Sequence, residues 1–90
     1  MDRMTFEREL KAQGYEPVER HMEANQVNSE HMHEFDARVL LLDGEMAITR
    51  EGKTQVFHPG DVCEIAAGTP HAERCGPNGA HYLAGRRFKQ

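Results

Sequence analysis

From Tyr15 onward, apolar and polar residues alternate in short runs that recur about every ten residues, with turn residues between them. Alternation of this kind belongs to strands, whose successive side chains point to opposite faces. The runs predict strands over Glu16–Met22, 37–42, 45–50, Lys53–Phe57, Val62–Ile65, 71–75 and 80–86. Asp43-Gly44 and Glu51-Gly52 sit where two-residue hairpin turns belong, because glycine accepts the positive φ such turns demand. Pro59-Gly60 and Gly76-Pro77-Asn78-Gly79 are turns of the same physical kind. Hairpins in succession with no second helix predict an all-β sandwich or small barrel. Before Tyr15 the pattern is helical. Thr5 can cap a short helix in which Phe6 and Leu10 share a face, Lys11 lies late and Gly14 ends it. So short a helix does not hold alone, so Phe6 and Leu10 must pack on the sheet. The chain thus divides into a helical segment, residues 1–14, and a β domain, residues 15–90.

Face assignments sharpen this outline. In the run 37–42, Ala37, Val39 and Leu41 share one face, while Arg38, Leu40 and Leu42 share the other. A strand apolar on both faces is central or covered, and either the helix or a second copy of the chain could supply the cover. Together with the small size of the domain, that face predicts a homodimer. In the run 45–50, Met46 and Ile48 lie opposite Glu45, Ala47 and Thr49.

Composition narrows the class. Ninety residues, 38% hydrophobic and 29% charged, describe one small globular domain near the lower limit of what can bury a core. A net charge of −4 offers no basic patch for nucleic acid. No apolar run is long enough to span a membrane, and the N-terminus lacks the apolar segment of a signal peptide, so a cytoplasmic protein is expected. Cys63 and Cys75 fit reduced thiols there, and no disulfide between them is expected.

The candidate chemistry lies in two stretches. His31-Met32-His33 places two imidazoles on one face if extended, and such a pair can hold one transition-metal ion. Taken by itself the pair is a weak signal. Some forty residues later, Gly68-Thr69-Pro70 turns the chain and His71 opens a strand on which His71, Glu73 and Cys75 share a face. Cys75 reads as a buried small hydrophobe and Cys63 as inert. His21 and His58 read as surface residues, and His81 as a lesser candidate for a cavity wall. Phe35 reads as barrel filling or pocket lining. Arg86-Arg87 reads as a solvated tail that could otherwise pair with a substrate carboxylate.

Together the two stretches resemble the paired motifs of the cupins, small β-barrels that hold a metal or small ligand inside. In the first motif, Asn25 stands at the place of the leading glycine, His31 and His33 match the His-x-His pair, and Gly44 matches the closing glycine. In the second, Gly60, Gly68 and His71 match, with Ala66 in place of a proline and Cys75 in place of an asparagine. The departure that matters is the first motif's glutamate, whose place Ala37 takes. Asp36 is adjacent but points to the opposite face unless a bulge re-aims it. The resemblance therefore implies a cupin barrel with one divalent transition metal (iron, zinc, nickel, manganese or copper) on His31, His33 and His71. Asp36, Glu73 and Cys75 are the groups able to replace the missing carboxylate, and Glu73 is the candidate catalytic group. A small anionic or chelating substrate is implied, with an oxygenase-type reaction leading. The alternatives are a ligand sensor or carrier without turnover, and a metal-dependent isomerase.

Overall fold

The computed structural model describes residues 1–88, so the last two residues of the expected β domain lie outside the described residues. One helix, α1 (Arg3–Ala12), precedes six strands. These are β1 (Glu16–Met22), β2 (Val27–His31), β3 (Phe35–Arg50), β4 (Lys53–Phe57), β5 (Val62–Ile65) and β6 (His71–Phe88). They form one antiparallel sheet in the order β1-β6-β3-β4, with β2 also on β6 and β5 also on β3.

Two long strands, β3 and β6, pair along nearly their whole lengths and carry the others. The expected strands 37–42 and 45–50 are thus one strand, and 71–75 and 80–86 are another. Asp43-Gly44 is not a hairpin turn. The β3–β6 register shifts on both sides of Asp43-Gly44, and residues 76–79 of β6 bulge out opposite Glu45. Gly44 has φ +84°, and a Cβ there would collide with the Gly79 carbonyl oxygen, so the position needs glycine for both reasons. The irregularity keeps the interior filled. Inward residues are odd-numbered before it (Val39, Leu41) and even-numbered after it (Met46, Ile48), and in β6 the sense switches between Cys75 and Ala80. Glu51-Gly52 does form the expected two-residue hairpin, with φ of 53° and 74° joining Arg50 to its partner Lys53.

The inner face holds one apolar cluster, centred on Leu41, Met46, Ile48, Phe57, Ile65 and Cys75. A second cluster lies on the outer face, where Phe6 and Leu10 of α1, both wholly buried, cover Leu40 and Leu83. The helix therefore supplies the cover for the outer face of β3, and Leu40 and Leu42 give no reason of their own for a second copy. Its N-cap is Asp2 rather than Thr5. The Asp2 carboxylate accepts from the Thr5 backbone N–H at 2.9 Å and from its hydroxyl at 2.9 Å, which holds the Asp2 carboxyl below its ordinary pKa. Arg38, on the same outer face, is buried in ion pairs with Glu9 and Glu64 at 3.1 and 2.8 Å.

Candidate metal centre

β2 is the strand that the alternation pattern does not announce, and it positions the site. It pairs with β6 as Asn28↔Glu73, then as His31↔His71, so residues 29 and 30 stand opposite Ala72 alone. In a regular strand Asn28 and His31 would point to opposite faces. The one-residue bulge puts them on the same face, and His31 meets Glu73 and His71 there. The chain then bends, and the His33 carbonyl accepts from the Gly68 N–H at 2.9 Å, tying the first motif to the turn before His71.

The three expected histidines come together. Ring centroids lie 4.3 Å apart for His31 and His71, 4.9 Å for His31 and His33, and 5.4 Å for His33 and His71. One ligating nitrogen from each falls within 4.8 Å of the others. Two of the rings are held by the backbone. His31 Nδ1 donates to the Ser29 carbonyl at 2.7 Å, and His71 Nδ1 donates to the Thr69 carbonyl at 3.0 Å. A carbonyl can only accept, so both rings carry their proton on Nδ1 and turn the Nε2 lone pair outward, as a metal ligand requires. His71 is buried, and His31 and His33 are half-buried. Burial, then the neighbouring imidazoles of His31 and His71, holds His33 below the usual histidine pKa, with Glu73 opposing. The donor set fits a borderline transition metal: neutral imidazoles, pre-oriented, on one side of an open cavity.

Glu73 is in the site. Its Oε1 lies 3.5 Å from His31 Nε2 and accepts from Asn28 Nδ2 at 3.2 Å. The other two candidates for the missing carboxylate are elsewhere. Asp36 is held outward, accepting from the Ala67 N–H at 2.9 Å and pairing with Arg87 at 3.1 Å. Cys75 is packed in the inner apolar cluster, where burial raises its thiol pKa. Cys63 is likewise buried and raised, and both cysteines are free. His81 faces outward, stacked on His21 at 4.3 Å and paired with Glu19 at 2.7 Å, so it lines no cavity wall at the site. His58 is exposed beside Glu45 and Asp61.

Beside the histidines opens a cavity of about 420 Å³, walled by Phe35, Val39, Tyr82, Ala84, Arg20 and Arg86 among others. That is within the range of small-molecule sites. A larger groove, about 700 Å³, lies over β4 and β5, but the three histidines are not part of it. Phe35 was legible as a lining residue; Asn28, Tyr82 and the inward turn of Arg86 were not. Arg86-Arg87 is not a solvated tail, since Arg87 is bound to Asp36, to the Gln13 carbonyl and over the Tyr15 ring.

The family model described as Cupin domain matches residues 18–82. The chain belongs to the cupin family. Among solved structures, this cupin is similar to the DMSP lyase DddQ from Ruegeria pomeroyi DSS-3. The TM-score is 0.76 and the identity 25%, over 84% of this chain and 39% of the lyase, so the chain spans well under half of that protein. KdgF from Halomonas sp. is similar with a TM-score of 0.70 and 19% identity, over 86% of this cupin and 72% of that chain. The cupin domain of an XRE family transcriptional regulator from Enterobacter cloacae gives 0.72 and 17%, over 89% of this chain and 87% of that one. The latter two likenesses are of fold. No curated protein matches the chain significantly. No helix among the described residues is long and apolar enough to cross a membrane.

Proposed function

We propose that this cupin holds one divalent transition metal on His31, His33 and His71 and acts on a small anionic or chelating molecule in the adjoining cavity. The observation that carries the reading is the meeting of three imidazoles, two of them with Nδ1–H bonded to Ser29 and Thr69, which keeps the Nε2 lone pair of each neutral ring available to a metal. When bound, the metal supplies Lewis-acid polarisation of the substrate, and one-electron chemistry as well if it is iron or copper. The chain's own residues bind and move protons. Glu73, oriented by Asn28, is placed to take a proton from a substrate beside the histidines and to return it. Burial and the nearby Glu73 carboxylate raise the Tyr82 pKa, so its hydroxyl stays a donor toward the ligand. Phe35, Val39 and Ala84 keep part of the wall dry.

An oxygenase-type reaction is the reading we favour over isomerisation. A neutral three-imidazole set leaves the metal's full charge to a chelating anion and leaves positions open beside it. Ala37, standing where cupins of this kind carry glutamate, supports a second reading: a ligand-binding cupin without turnover. Elemental analysis of protein purified without added metal, beside His33→Ala, tests the metal. About one equivalent in the wild type, lost in the variant, is expected. No metal in the wild type after reconstitution with several divalent ions overturns the metalloprotein reading. Iron in the site then directs the next assay to oxygen consumption with candidate acids.

A further inference from the structure

The cavity wall away from the histidines carries a cation that the metal site does not use. Alternation along the last part of β6 sends Tyr82, Ala84 and Arg86 inward. Arg87, the next residue, points out and is fully engaged, pairing with Asp36 at 3.1 Å and donating to the Gln13 carbonyl at 3.0 Å. Arg86 has nothing comparable. Its Nε is buried without a hydrogen-bond partner. Glu16 stands opposite it in register, yet the two form no ion pair. Glu73, the carboxylate that lines the cavity, accepts from Asn28 and lies at His31, and no ion pair joins it to Arg86. The contact the guanidinium does make is with the Phe35 ring, 5.8 Å from its centroid, and Phe35 is itself stacked on His33 at 4.6 Å. Buried polar groups in folded proteins are nearly always paired, so a charged donor left without an acceptor in a cavity calls for a ligand.

We propose that Arg86 holds the carboxylate of a small two-ended acid, whose other end lies at the three histidines. The first half stands on Arg86 alone, and the second rests on the metal reading above. A planar guanidinium offers two parallel N–H donors that match one carboxylate. A phosphate carries more charge and commonly draws on a helix N-terminus, but α1 packs on the opposite face of the sheet. The Phe35 ring sets the spacing. It touches both the guanidinium and His33, so a ligand reaching from one to the other runs along the ring, and the acid and the metal-side group are its separate ends. Arg20, exposed on the same wall, adds positive potential at the mouth. This narrows the ligand class from anionic or chelating to a molecule that is both, at opposite ends.

Calorimetric titration with glutarate, butyrate and inorganic phosphate tests this on metal-free and zinc-loaded protein, for the wild type, Arg86→Gln and Arg86→Lys. Metal-free wild type is expected to bind glutarate in preference to phosphate, with affinity falling at least tenfold in Arg86→Gln and less in Arg86→Lys. Zinc loading is expected to tighten glutarate more than butyrate, and Arg86→Gln to remove that advantage while keeping one zinc. Circular dichroism and zinc content establish that each variant is folded. Equal glutarate binding by wild type and a folded Arg86→Gln overturns the proposal, as does preference for phosphate or failure to bind any carboxylate. If the wild type takes no zinc but still binds glutarate through Arg86, the carboxylate site stands and the metal reading falls. If zinc binds and Arg86→Gln changes nothing, the metal reading stands and the carboxylate site falls.

Discussion

His33 is where the site is most strained electrostatically, because it is partly buried between two other imidazoles. Its folded pKa is depressed, so the folded chain resists a proton that the unfolded chain accepts. Its contribution to stability is therefore complete above the ordinary histidine value, about 6.5, and is lost as pH falls through the folded value. Denaturant midpoints of metal-free protein across this range are expected to drop as pH falls, and to drop less in His33→Gln. Metal affinity should weaken in the same direction, since a protonated imidazole cannot ligate. Asp36 makes the opposite prediction for the metal: Asp36→Asn should lower stability, through weakened contacts to Ala67 and Arg87, and leave the metal content at one equivalent. Loss of the metal in that variant would show that the carboxylate reaches the site after all. The meeting of His31, His33 and His71 was legible because motif spacing is a count along the chain, and counts survive folding. Arg86 was named only as part of a tail that could otherwise pair with a carboxylate, and its place on the cavity wall was not legible. Its inward turn depends on the switch of facing between Cys75 and Ala80, and nothing in alternation alone says how many residues a bulge consumes.

At the scale of elements, α1 behaves as a lid on the outer face rather than a part of the site. Phe6 and Leu10 are wholly buried against Leu40 and Leu83. Truncation at Leu10→Ala is expected to cost about 2–5 kcal/mol, measured by urea denaturation, with metal content unchanged in the protein that remains folded. Gly85 explains how closely the helix sits, since a Cβ there would come 2.5 Å from Leu10 Cδ2. Gly85→Ala should therefore loosen α1 and raise hydrogen exchange at its amides, and unchanged exchange would show that the helix shifts without loss. Asp2 and Glu19 bind the same helix through ionised carboxylates whose pKa values are lowered, Asp2 by Thr5 and Glu19 by Arg3 and His81. The position of the helix was read correctly from Phe6 and Leu10, and its start was missed because Thr5 and Asp2 are both good caps three residues apart. β2 was missed for a plainer reason: Val27 is its one apolar residue, so it shows no alternation to read. Asp43-Gly44 was misread because positive φ suits a hairpin turn and a strand irregularity equally well.

For the molecule as a whole, two clusters of core on opposite faces of one sheet divide the labour. The outer one fastens the helix. The inner one fills part of the barrel and leaves the remainder as the cavity at the histidines. The class of fold was legible because the period-two pattern and the two motifs agreed. The merging of predicted strands into β3 and β6 was not, since a bend that keeps a strand paired is a matter of register between distant residues. The bulge in β2 shows how such a dependence reaches function. His31 faces His71 because two residues, Ser29 and Glu30, fill the space opposite one. Shortening that stretch by a single residue would turn the ring to the outside and dismantle the cluster while deleting no histidine. The length of the chain at this point is itself part of the site, and insertions or deletions between Asn28 and His31 should scatter the three imidazoles as thoroughly as loss of a histidine.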